Sequence, residues 1–135
     1  MSGVKLTDIV EKMNLKNLTP EVDITEREVL VPDVNRPALQ LAGFFDHFDL
    51  NRVQIIGNVE CAYLETLEEE KRVEIYQKLL EHKVPCIIFS NELQPDESFI
   101  EIAQKNDIPV FGTCKKTSSF MGELIRWLNV KLAPC

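Results

Sequence analysis

RVQIIGNVECAYLETLEEEKRVEIYQKLLEHKVPCIIFS, residues 52–90, decides the fold. It opens on a short run of branched apolar residues, RVQIIG at 52–57, and closes on another, VPCIIFS at 84–90. Each run has the length and composition of a strand. Between them the apolar positions change period: Val73, Tyr76, Leu79 and Leu80 recur at helical spacing. Thr66 and Glu69 have the spacing of a capping box, and Glu68, Glu69 and Glu70 suit the positive end of a helix dipole. A third apolar run, IPVFGT at 108–113, repeats the theme after a segment that turns Phe99, Ile100 and Ala103 to one side. Strands alternating with helices imply a largely parallel sheet with crossover connections.

The flanks fit the same class. Thr7 is placed to cap a first helix with Ile9, Val10 and Met13 on its inner face. Residues 17–27 are polar and broken by Pro20. Glu28 to Val34 reads as a strand, with Pro32 marking an edge or an early end. Pro37 suits a first helical turn, and Gly43 suits the stop after Leu41. The last helix is expected after Thr117-Ser118-Ser119 and runs to Leu132. Phe120, Met121, Leu124, Ile125, Trp127, Leu128 and Leu132 span an arc of about 160°, wider than the stripe of about 100° that packing on one sheet requires. One flank, including Trp127, is therefore read as an interface with a second domain or subunit. The expectation is one α/β domain with a mixed, mostly parallel sheet flanked by helices.

At 135 residues the chain has the length of one domain. Apolar content of 44% and charged content of 27% exclude a disordered class. A net charge of −7 argues against nucleic acid as partner, because phosphate neutralisation needs excess Lys and Arg. No apolar run approaches the ~20 residues of a membrane span. The start MSGVKLTDIVEKMN lacks the basic and apolar blocks of a signal peptide, so a cytoplasmic location is expected. Cysteines 61, 86, 114 and 135 form no C-x-x-C pair, and His47 and His82 do not complete a zinc pattern, so no metal site is expected.

No catalytic constellation emerges. FGTCKKTSSF at 111–120 follows a strand and opens a helix, but Lys115 stands where a phosphate loop needs glycine before Lys116-Thr117. Ser118 and Ser119 lack a nucleophile-elbow pattern and read as caps. His47, between Asp46 and Asp49, reads as a loop histidine. The candidate ligand-binding residues are Asp33, Asn35 and Arg36, just past a strand end. Ligands in open α/β sheets collect at that edge, and Asn58, Ser90, Asn91 and Thr113 also follow strands. The competing reading is local: Asp and Asn build turns, and Arg36 bridges to one of the loop acids.

The run DVNRPALQLAGFFDHF at 33–48 resembles the N-terminal domain of the HPr kinase/phosphorylase family, whose pattern here is carried by Asp33, Asn35, Arg36, Pro37, Ala38, Leu39, Leu41, Gly43, Phe44 and Phe45. The resemblance continues through RVQIIG, Glu60, Tyr63 to Leu67, VPCIIFS, IPVFGT, Thr117-Ser118 and KLAP. It implies a bifunctional enzyme that phosphorylates a serine of HPr and removes that phosphate, in carbon catabolite regulation. It also implies a hexamer, and a second domain holding the phosphate loop, the catalytic residues and the ATP and magnesium sites. Residues 1–132 would be the N-terminal domain and 133–135 the start of a linker. On this resemblance the chain alone is catalytically inert, holds no cofactor, reaches HPr only through the kinase domain, and has a regulatory or assembly role. A fold similar to the Mur ligase N-terminal domain is implied too.

Overall fold

The structure, a computed structural model, describes residues 3–134. Its elements run β1 (Val4–Lys5), α1 (Leu6–Met13), β2 (Lys16–Asn17), β3 (Glu28–Val29), β4 (Val34–Asn35), α2 (Ala38–Leu41) and β5 (Val53–Ile56). They continue with α3 (Asn58–Glu65), α4 (Glu69–Leu80), β6 (Ile87–Phe89), α5 (Glu97–Lys105), β7 (Val110–Gly112) and α6 (Thr117–Leu132). The main sheet has the order β2-β7-β6-β5-β4. Strands β4 to β7 are parallel, and β2 closes one edge antiparallel to β7. The chain is a single α/β domain with a mixed, mostly parallel sheet flanked by helices.

Side-chain alternation along the central strands builds two cores. Ile56, Ile87, Phe89 and Val110 face one way, into Leu64, Ile75, Tyr76, Leu79, Leu80, Phe99 and Ala103 of α3, α4 and α5. Val53, Ile55, Ile88 and Phe111 face the other way, into Leu6, Ile9 and Met13 of α1 and Phe120, Leu124 and Leu128 of α6. Burial on both faces explains why these strands carry continuous apolar runs rather than strict alternation.

Four local expectations are corrected. The segment Glu28 to Val34 is two strands in two sheets: β3 pairs antiparallel with β1, and β4 pairs parallel with β5. Pro32, which has no N–H to give a ladder, lies in the break. Thr7 lies inside α1, whose N-cap is Lys5. Thr66 is the C-cap of α3, its hydroxyl donating to the Tyr63 carbonyl, while Glu68 takes the N-cap of α4. Helix α6 begins at Thr117 with Lys116 as N-cap, so Ser118 and Ser119 are within the helix. Helix α2 ends as read, with Gly43 at φ +100°, where a side chain would be strained. Among the described residues, no helix is long and apolar enough to cross a membrane.

Candidate functional site

The carboxyl ends of β4, β5, β6 and β7 lie side by side, and the segments leaving them form one polar edge. Strand β4 ends on Asn35, and Arg36 follows. Arg36 forms a two-pronged pair with Glu60 on α3: Nε donates to Oε2 at 3.0 Å and Nη2 to Oε1 at 2.6 Å. Glu60 is only 2% exposed, whereas the Arg36 side chain is 33% exposed. Glu60 Oε1 also accepts the Gly57 N–H at 2.8 Å, closing the first turn of α3. Such fork-to-carboxylate geometry fixes orientation as well as charge.

Asn35 is held from below. Its Nδ2 donates to Gln54 Oε1 at 2.7 Å and to Gln40 Oε1 at 3.1 Å. Both glutamines are buried, and Gln54 donates in turn to the Arg52 carbonyl. Burying an amide is costly unless it is hydrogen-bonded, and this chain of amides meets that condition. Asp33 does not stand past a strand end as expected: it precedes β4, at the amino end of the strand beside Arg52. Its side chain is 65% exposed and stands 4.0 Å from Arg52, a surface pair of small energetic weight.

Gly57 is the pivot of the edge. A Cβ there would lie 2.7 Å from both Arg36 Nη2 and Thr117 Oγ1. Only glycine lets the start of α3, the Arg36 fork and the start of α6 approach this closely. Thr117 shares a 2.6 Å hydroxyl contact with Ser90, and Ser90 Oγ donates to the Ile56 carbonyl. Asn91 Nδ2 donates to Asn58 Oδ1 at 3.1 Å, and its backbone N–H donates to the Lys115 carbonyl. The edge is therefore a sequence of cross-links between successive strand exits. Thr113 supports the last of them by accepting the Lys115 N–H. Lys115 itself turns away to Glu123, whose carboxyl it holds below the usual range by a direct hydrogen bond.

The sequence brings Asn35, Arg36, Asn58, Ser90, Asn91 and Thr113 to this edge as expected from strand order. The acid that Arg36 meets is not one of the loop acids, as the local reading had it, but Glu60 on α3. Glu60 sits 24 residues away on a helix, and no local signal joins the two. Trp127 lies half-buried on the flank of the α1–α6 core, with Lys131 Nζ 5.7 Å over its ring and Val130 exposed nearby in sequence. His47 adopts φ 62° in the loop after α2, and Asp49 pairs with Arg52. Among the described residues, no group of three or more His, Cys, Asp or Glu side chains is arranged to hold a metal ion.

The family match and the sequence relatives agree on one family. Residues 4–128 match the family described as HPr Serine kinase N terminus. HPr kinase/phosphorylase of Lachnoclostridium phytofermentans is 54% identical over 134 residues, covering 99% of this chain and 43% of the relative. That of Caldicellulosiruptor bescii is 40% identical over 126 residues, covering 93% of this chain and 40% of the relative. The chain thus spans less than half the length of these relatives. Among solved structures it is similar to the CBS and DRTGG domains of the regulatory region of Clostridium perfringens pyrophosphatase, complexed with the activator diadenosine tetraphosphate. That likeness has a TM-score of 0.55 and 20% identity, and it covers 93% of this chain and 47% of the other. At that identity it speaks for the fold alone.

Proposed function

The chain belongs to the HPr serine kinase N-terminus family, and from that premise we propose that it is the non-catalytic, regulatory or assembly domain of a bifunctional HPr serine kinase/phosphorylase acting in carbon catabolite regulation. The observation that carries this reading is the closed state of the strand-end edge. Arg36, Asn35 and Ser90 spend their hydrogen bonds on Glu60, Gln54, Gln40 and Thr117, so the family fingerprint braces the fold rather than presenting reactive groups. In this reading ATP, magnesium and HPr are handled by the remainder of a longer, hexameric, cytoplasmic parent. The wide flank of α6, with Trp127, is where the domain meets that remainder.

The test has two arms. The chain is incubated with HPr, ATP and magnesium, and HPr is analysed by mass spectrometry for phosphoserine; none is expected, and its appearance refutes the reading. Trp127→Ala in the longer parent is expected to change sedimentation or domain docking more than thermal stability. A pure loss of stability makes Trp127 ordinary core.

A second reading rests on the exposed third of Arg36 beside the first turns of α3 and α6. It makes Asn35 and Arg36 contacts for a small ligand at the strand carboxyl ends, and the domain a sensor. A thermal shift with ATP–magnesium, fructose bisphosphate, phosphate or a UDP-sugar peptide, abolished by Arg36→Ala, is its signature.

A further inference from the structure

A cleft of about 200 Å3 opens among α3, α4 and the start of α5, beside the carboxyl end of β6. Leu64, Phe89 and Phe99 lie buried beneath it, and the half-buried Cys61 and Pro95 supply the apolar surface that a ligand reaches. Phe99 stands edge-on to both Phe89 and Tyr76, with ring centroids 5.1 Å apart in each pair. A cavity of about 150 Å3 holds a benzene ring, so this one holds a ring with substituents.

The polar side of the cleft is built around Asp96. Asp96 occupies the N-cap of α5 but makes no side-chain cap bond. An aspartate there ordinarily accepts a backbone N–H of the first turn. Here Oδ2 instead accepts from the Tyr76 hydroxyl at 2.6 Å and from Arg72 Nε at 3.2 Å. Among the described residues no donor reaches Oδ1. Burial first, and then the bond to Asp96, push the Tyr76 phenol well above its ordinary range, so the hydroxyl remains a donor. Arg72 is committed to Asp96 and to the Leu67 carbonyl. Glu65 lines the same cleft. Two carboxylates beside one guanidinium, which already donates through Nε and Nη1, leave an excess of negative charge that disfavours anions and favours a ligand that donates hydrogen bonds.

We infer that this cleft binds an amino-substituted heteroaromatic ring, held between the half-buried Cys61 and Pro95 above the buried Phe89 and Phe99, with its amino group donating to Asp96 and Glu65. The site is separate from the Arg36–Glu60 edge and does not depend on the role proposed for the domain. An amide NMR titration of the whole chain with adenosine tests it, with inosine as the control that replaces the amino group by an oxo group. Adenosine is expected to shift the amides of Cys61, Tyr76, Gln94 and Phe99, with inosine binding about tenfold more weakly. Glu65 is exposed, so Glu65→Gln leaves the fold intact and is expected to weaken adenosine by a similar factor. Equal shifts with inosine, an unchanged affinity in Glu65→Gln, shifts confined to the edge around Asn58 and Asn91, or none up to the solubility limit would each overturn the inference.

Discussion

Replacing Arg36 by Met asks whether the family fingerprint braces the fold. The change keeps an unbranched stem but removes the donors at 3.0 and 2.6 Å from Glu60. Glu60 stays behind at 2% exposure with only the Gly57 N–H on its carboxylate. Deleting one partner of a fully buried pair costs about 3–5 kcal/mol, because the other charge is stranded. Arg36 is 33% exposed, so water already screens part of the pair, and the Gly57 bond survives. These two facts lower the expected cost to about 2–3 kcal/mol. For a domain of this length that is a fall in melting temperature of roughly 6–12 °C. Urea unfolding measures it, with a single transition expected at this size. The decisive control is Glu60→Gln placed on Arg36→Met. It removes the stranded charge and is expected to recover about 1 kcal/mol or more. A single variant within about 0.5 kcal/mol of the parent, or a double variant as weak as the summed singles, refutes the bracing argument.

The same geometry sets other outcomes. Gly57→Ala inserts a methyl against Arg36 Nη2 and Thr117 Oγ1 and is expected to cost about 1–3 kcal/mol through forced displacement, read by thermal melting. Tyr76→Phe loses the bond to Asp96 and is expected to cost about 1 kcal/mol at neutral pH. Its pH signature has a definite sign: the phenol is raised in the folded state, so the unfolded chain loses its proton first and stability falls as pH climbs past about 10. Tyr76→Phe should show a shallower alkaline fall, and parallel curves would contradict the burial argument. Among the cysteines of the described residues, thiol labelling should follow exposure, with Cys114 first; Cys61 and Cys86 lag because burial pushes them to about 11 and about 12. Mass-spectrometric mapping of alkylation at pH 8 checks that order.

The central fold was legible because β5, β6 and β7 are buried on both faces. A strand in that position has to be apolar throughout, and Val53–Ile56, Ile87–Phe89 and Val110–Gly112 announce themselves by composition alone. The edges were not so constrained. Strands β1 and β3 have two residues each and pair with each other, so no periodicity has room to develop. Glu28 to Val34 looked like one strand because its composition is right, yet Leu30 is 56% exposed in the stretch that turns from one sheet to the other. The caps misled for a related reason. Thr66-x-x-Glu69 has the right spacing, but the Thr66 hydroxyl meets a better placed acceptor behind it, the Tyr63 carbonyl at 2.6 Å. Ser and Thr hydroxyls serve either end of a helix, and sequence spacing does not say which.

The polar edge was half legible, and the missing half is the part that gives it meaning. Strand order alone put Asn35, Arg36, Asn58, Ser90 and Asn91 together, because parallel strands deliver their exits to one side. What those residues do depends on partners chosen across the sheet: Glu60 for Arg36, Gln54 for Asn35, Thr117 for Ser90. Each partner lies 19 to 27 residues away, on another strand or a helix. The cleft around Asp96 follows the same logic, since Arg72 and Tyr76 share a face of α4 by spacing but meet Asp96 only through packing of α4 on α5. The two sites differ in what they leave over. At the edge, Glu60 meets the Arg36 fork with both oxygens and the Gly57 N–H with one, an arrangement that locks strand exits to helices. At the cleft, one Asp96 oxygen takes both protein donors, and among the described residues no donor reaches the other. Saturated polar groups give rigidity, while an uncommitted acceptor beside apolar surface gives a place to bind. On that physical distinction the conspicuous motif is the brace, and the inconspicuous one is the better place to look for a ligand.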